Sequence, residues 1–233
     1  MSRRARFTVF AVGIAGLGVL LLLAAFRLPG FGGRFHPYGE RAVTSAVAEK
    51  TMNVISSVNF DQRAFDTVGE ELILFASALG AVVLLRMVRQ EREEEAGEHG
   101  YGPADVFDAL RLTGYVLLPV TLVAGVYIVA HGHLSPGGGF QGGVVLGTAL
   151  HLIYLTGDYP ALARLRPVPA FEAGEALAAG AFVVLGLAAA GLVIPMNAMV
   201  GLEVGCAIVL VLAKFFEQAL LVRTDEIREE DGT

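Results

Sequence analysis

The sequence predicts an all-α fold, a polytopic membrane bundle of about six transmembrane helices with both termini cytoplasmic. Composition is the first observation behind this: 55% of the 233 residues are hydrophobic, 17% are charged, and mean hydropathy is +0.62. A soluble domain of this length carries more charge and is less uniformly apolar. The second is that the apolar residues fall in long runs, and a spanning helix needs about 20 of them. The third is that many of the 29 glycines lie inside those runs, where membrane helices tolerate them. In lipid a segment must satisfy its own backbone hydrogen bonds, so the runs are helices and not strands.

The first run, Phe7 to Phe26, follows the basic start "MSRRARF". It is too long for a signal-peptide core and no small-residue cleavage site follows, so an uncleaved helix is expected. A long outer loop comes next. Within it "RAVTSAVAEKTMNVISSVNF" is expected to form a helix at the membrane surface. The second span runs from about Glu70 to Val88. Residues 89–105, "RQEREEEAGEHGYGPAD", are charged and read as a solvated inner loop. The third span is about Ala109 to Ala130, the fourth Phe140 to Thr156 and short, the fifth Glu175 to Ile194, and the sixth Ala198 to Val222.

The chain therefore divides into a two-helix segment with a long outer loop (1–88), a charged linker (89–103), a four-helix domain (104–224) and a polar tail (225–233). Lys and Arg set orientation. With the N-terminus inside, eleven arginines fall on the inner side and five basic residues on the outer side, all five in the one long loop. Lys214 lies within a span.

Several function classes drop out. Net charge is −6, with no basic patch for nucleic acid. No Cys/His cluster has zinc spacing, no phosphate-binding loop is present, and no nucleophile–base–acid set or cofactor motif supports an enzyme. The lone Cys206 cannot form a disulfide framework and reads as a small packed hydrophobe.

The distinctive stretch is "HGHLSPGGGFQGG", His131 to Gly143, between the third and fourth spans. The chain must turn there and re-enter the membrane. Pro136 initiates the turn, and the glycines of the stretch, Gly137, Gly138 and Gly139 among them, suit the φ > 0 conformations it requires. Gly139, Gly143 and Gly147 repeat every four residues and place a bare strip on one helix face, where another helix can approach closely. Turn and packing account for the glycines, Gly142 included. They account less well for His131, His133 and Gln141, polar groups at the membrane edge.

"HGHLSPGGGFQGG" resembles the signature of the MnhB domain, which forms one of the small subunits of multisubunit Mrp-type Na+/H+ antiporters. The histidine–glycine–histidine, Pro136, the three glycines, Phe140 and the pair Gly142–Gly143 are all present. "NAMVGLEVGCAIVLVLAKFFEQ" is similar to that family's last helix. "VNFDQRAFDTVGEELILFASALGAVVLL" resembles the C-terminal end of the large subunit of the same antiporters, a segment that also occurs as a small separate subunit of membrane-bound hydrogenases. The resemblance carries Asp61, Phe65–Asp66–Thr67 and Gly69–Glu70. It implies a fusion of two small subunits working beside other membrane subunits in a prokaryotic inner membrane. The cargo it implies is Na+ and H+, with no cofactor and no resident metal beyond transient Na+ near Glu70. A hydrogenase-type or related respiratory complex and a purely structural scaffold are the alternatives.

Candidates for the ion pathway are the few ionisable residues within spans, because a charge at mid-bilayer costs roughly 2.5–3.5 kcal/mol. At the second helix, Thr67-x-x-Glu70 reads equally as a capping box. The resemblance places Glu70 in the cation or proton route, with Asp66 capping the helix or holding Glu70's surroundings. Glu203 has no partner in its own helix; it faces water, meets another subunit or is held protonated by burial. Lys214 lies roughly three turns beyond it and can pair with Glu217. His151 reads as a packing residue or a proton relay, and His131 and His133 suit proton handling at the outer face. Glu172 and Glu175 read as N-terminal charges of the fifth helix.

Overall fold

A computed structural model describes residues 3–28, 36–85, 107–156, 164–188 and 191–231, apart from the side chains of 155 and 217–231. The linker 89–103 and the side chain of Glu217 lie outside the described residues. The chain forms two compact units, Met1–Glu40 and Arg41–Thr233.

The first unit contains α1, Arg3–Phe26, a 24-residue helix with no buried residue. Nothing lies within 4 Å of where side chains would start at Gly13, Gly16 and Gly18. Its apolar surface is offered outward on all sides, as a helix solvated by lipid requires. The short helix α2, Pro37–Ala48, begins in this unit and continues into the second.

The second unit holds α3 (Val54–Ser57), a π-helical turn (Val58–Gln62), α4 (Ala64–Leu84), α5 (Asp108–Ala130), α6 (Gly139–Leu155), α7 (Val168–Ala188) and α8 (Val193–Asp231). The outer-loop stretch is thus α2, α3 and the π turn in succession, not one helix. Asn53 caps α3, its side chain accepting from the amides of Ile55 and Ser56. No strand occurs among the described residues.

Among the described residues five helices are long and apolar enough to cross a membrane: α1, α4, α5, α7 and the Val193–Phe216 part of α8. The run expected as the fourth span is α6, whose 17 residues extend about 26 Å at 1.5 Å per residue. Helix α7 starts at Val168, well before Glu175, and α8 continues to Asp231 through most of the expected tail.

Helix α8 is the hub. It packs against α4, α5, α6 and α7, while α5 also packs on α6 and α4 on α7. Its contact with α6 follows the glycine strip. A side chain begun at Gly139 would meet the Asn197 carbonyl and Val200, one at Gly143 would meet Val204 and the Gly201 carbonyl, and one at Gly147 would meet Ile208. Gly142 faces α5 in the same way, against Val129 and the Gly125 carbonyl. Small residues let these backbones come together, and packing and not water exclusion holds helices in lipid.

A cluster of Phe60, Val68, Phe182, Val193, Met196, Val200 and Val204 packs at the end of this core where α4 and α8 begin. Phe60 meets Phe182 edge to face, with ring centroids 6.1 Å apart, a favoured aromatic geometry.

The strip carries a testable consequence. At Gly143 an added Cβ would sit 2.7 Å from the Val204 Cβ and 2.8 Å from the Gly201 carbonyl oxygen. Gly143→Ala should cost about 1–3 kcal/mol through overpacking and lower Tm. Gly180→Ala, where nothing lies within 4 Å, should leave Tm unchanged. Thermal unfolding in detergent compares the two.

Candidate functional site

The site begins with the inward faces of three helices. On α4 the buried positions are Thr67, Val68, Glu71 and Ala78. On α7 they are Glu175, Ala178, Ala179 and Phe182. On α8, Met196, Glu203, Leu210 and Ala213 are all buried. Residues three, four and seven apart share a helix face, so each helix turns one carboxyl toward the others.

Glu71 and Glu203 are almost wholly enclosed, at 1% and 0% exposure. Their carboxyls meet at the α4–α8 interface. Apart from the two acids themselves, no described residue donates to any of the four oxygens. Two bare carboxylates pressed together in an apolar setting repel, and each has lost the water that stabilised it. A proton or a small cation held between them removes the repulsion. Glu175, 5% exposed, lies within electrostatic reach of Glu203 and Glu172, and its Oε1 also lacks a donor. Among the described residues no group of three or more His, Cys, Asp or Glu is placed to hold a metal ion.

The structure separates the residues singled out from the sequence. Glu70 is exposed, one position round the helix from Glu71. It lines a cavity of about 210 Å³ with Val58, Asn59, Arg63, Asp66 and Thr67. Asp66 pairs with Arg63 on the surface. The capping box does not form: α4 starts at Ala64, Arg63 stands at its N-cap position and its side chain makes no capping bond, and Thr67 is buried inside the helix. Glu175 is not an N-terminal charge either, because α7 begins about two turns earlier.

Sequence reasoning ranked Glu70 above its neighbour Glu71 and read Glu175 as an N-terminal charge, whereas the structure buries both Glu71 and Glu175. A signal was present. Glu71 lies four residues from Thr67 and seven from Ala78, and Glu175 heads the small-residue stripe Ala178–Ala179. Both are polar groups on the packing face of their helix.

Lys214 lies on the same side of α8 as Leu210 and lines a cavity with Glu172 and Glu175. His151 is buried; its Nδ1 is 2.7 Å from the Gly147 carbonyl oxygen, its Nε2 has no partner among the described residues, and its ring lies 5.6 Å from that of Phe216. His131 stacks on Tyr127 at 4.1 Å. The carbonyl of His133 accepts from the Asn53 amide at 3.1 Å.

The glycine turn is held from two sides. Gly137 and Gly138 both have φ of 127°, where L side chains are strained. Asn53 Nδ2 donates to the carbonyls of Gly132 and Ser135, at 2.8 and 2.9 Å, and Ser56 Oγ donates to Gly132 at 2.6 Å. From α8, Asn197 Oδ1 accepts from the amide of Gly139 at 2.8 Å, at the start of α6. A separate bond reaches the α7–α8 turn, where the Gly191 amide donates to Asp61 at 2.7 Å.

Fold and site together define a multi-pass helical membrane protein with acidic side chains in its core. Residues 109–217 match the family model for MnhB, described as the domain related to the MnhB subunit of Na+/H+ antiporter. Over 110 residues the chain is 28% identical to an uncharacterised protein of Methanocaldococcus jannaschii. That match covers 43% of this chain and 42% of the relative, so it spans less than half of either.

Two solved structures share the fold. One is a chain of the membrane-bound sulfane sulfur reductase, an archaeal respiratory membrane complex. Its TM-score is 0.64 at 24% identity, covering 91% of this chain and 98% of that one. The other is a chain of the Mrp complex from Dietzia sp. DQ12-45-1b, with TM-score 0.62 at 23% identity, covering 92% of this chain and 26% of that one.

The turn can be tested through Asn197. Asn197→Ala removes the acceptor for the Gly139 amide, a buried donor. The expected loss is about 1–3 kcal/mol, read as a lower Tm and faster hydrogen exchange at the start of α6.

Proposed function

We propose that this chain is a membrane subunit of a multisubunit monovalent cation/proton antiporter of the Mrp type, and that Glu71 and Glu203 form an exchange site within it. The observation that carries this reading is the pair itself, two buried carboxyls in contact with no other described residue donating to them. Burial of this kind is costly in a membrane helix, and acids placed there mark ion routes by default. A proton and a small cation compete for the same oxygens, so loading one displaces the other. That competition is the chemistry of antiport.

Glu70 and Asp66 line the groove next to the pair on α4 and form an approach for ions from that end. His131 and His133 stand at the α5–α6 turn and handle protons at the same face. The MnhB match supports a role beside other membrane subunits in a prokaryotic plasma membrane. The chemistry is transport, without bond-making catalysis or a cofactor.

A second reading rests on a different observation. The fold likeness to a chain of the sulfane sulfur reductase complex extends over 98% of that chain. In that reading the same carboxyl pair moves ions in a respiratory complex and is driven by electron transfer in neighbouring subunits. Iron–sulfur proteins among the co-purifying chains would favour it.

Glu71→Gln and Glu203→Gln should each abolish Na+-dependent proton exchange in everted membrane vesicles, with the partner subunits still co-purifying. Glu70→Gln should retain turnover and raise the KM for the cation. Normal exchange in both the Glu71 and Glu203 variants would leave a packing subunit only.

A further inference from the structure

A cavity of about 520 Å³ lies between α4, α7 and α8. Phe75, Leu79 and Val83 wall it on α4, Glu172 and Glu175 on α7, and Lys214 on α8. Its residues run inward from the end of α4 and the start of α7. Phe75 is one turn below Glu71, and Glu175 lies about 4.5 Å along the axis from Glu172 at 1.5 Å per residue. The cavity therefore stops just short of the carboxyl pair. Glu175 is the polar group at its inner end: 5% exposed, with Oε1 lacking any donor, and within electrostatic reach of Glu203.

We infer that this cavity is a water-filled vestibule that admits small hydrated monovalent cations, hydronium included, and that Glu175 passes them from it to Glu203 and Glu71. The inference rests on the carboxyl pair being an exchange site.

Its chemistry follows from the lining. The volume has room for several waters, and a polar site needs two to four partners to hold each one. Glu172 and Glu175 supply acceptors, and Lys214 supplies donors. The apolar walls confine the water to a narrow column ending at a carboxyl. The basic residues of the sequence place this end of the bundle on the cytoplasmic side.

Thiol accessibility in the assembled complex tests this. In a Cys206→Ala background, Ala176→Cys puts a thiol on the cavity wall. Leu177→Cys puts one at the same depth on a surface 72% exposed to the outside of the bundle. Only a thiolate in contact with water reacts, so a charged, membrane-impermeant methanethiosulfonate applied to the cytoplasmic face should label Ala176→Cys roughly tenfold or more faster than Leu177→Cys. Equal slow labelling, or labelling from the opposite face alone, overturns the vestibule.

Glu175→Gln should lower turnover with partner subunits retained, and Glu175→Asp should restore part of it. Normal turnover in Glu175→Gln overturns the transfer role. If Glu71→Gln and Glu203→Gln stop exchange while Ala176→Cys stays unlabelled, the exchange site stands and the vestibule falls. If Ala176→Cys is labelled and those two variants exchange normally, the site itself falls and the vestibule's role with it.

Discussion

The arrangement depends on how closely α8 can approach α6. Gly139, Gly143 and Gly147 remove the side chains that would hold the two backbones apart, and Asn197, Val200, Val204 and Ile208 fill the space. That contact fixes the rotation of α8 as well as its distance. Glu203 is one residue from Val204, about 100° round the helix. With Val204 pressed onto Gly143, the carboxyl is turned toward α4, where Glu71 waits. Without the glycines the helix would sit further out or rotate, and the two acids would no longer be held together. A motif that reads as backbone packing thus sets the geometry of the carboxyl pair.

The segment before α4 gives the bundle its second constraint. Asn53 and Ser56 grip the α5–α6 turn, Asp61 grips the α7–α8 turn, and Phe60 packs into the core between them. These bonds use backbone carbonyls and amides that the turns leave unpaired, the groups a membrane protein must satisfy somewhere. Two stretches that resemble separate proteins are therefore one packed unit, with α4 supplying half of the carboxyl pair and α8 the other half.

Much of the fold was legible from hydropathy alone. The runs at Phe7–Phe26, Ala109–Ala130 and Phe140–Thr156 match helices within a few residues, because long apolar segments in lipid have no alternative to the helix. The start of α7 was misplaced because Val168–Ala173 contains a proline and a glutamate, which weaken a hydropathy signal without breaking a helix; Pro169 falls in the first turn, where its missing amide costs nothing. The glycine motif was legible as turn and strip because its four-residue spacing matches a helix face. The site was legible only in part. Glu203 stood out as an acid in an apolar run. At α4 the choice between adjacent glutamates depends on which way the helix is rotated, and rotation is set by partners far away in sequence. Glu175 was hidden by the same misplaced boundary.

The clamp made by Asn53, Ser56 and Asp61 has a consequence for assembly. Clamp and bundle belong to a single polypeptide, so their union is a first-order event. It occurs at an effective concentration set by the intervening loop, not by how densely the chains populate the bilayer. Two free proteins making the same bonds would separate as lipid diluted them. Joined, they hold a one-to-one ratio at any expression level, and neither carboxyl of the pair is left to face hydrocarbon without its mate.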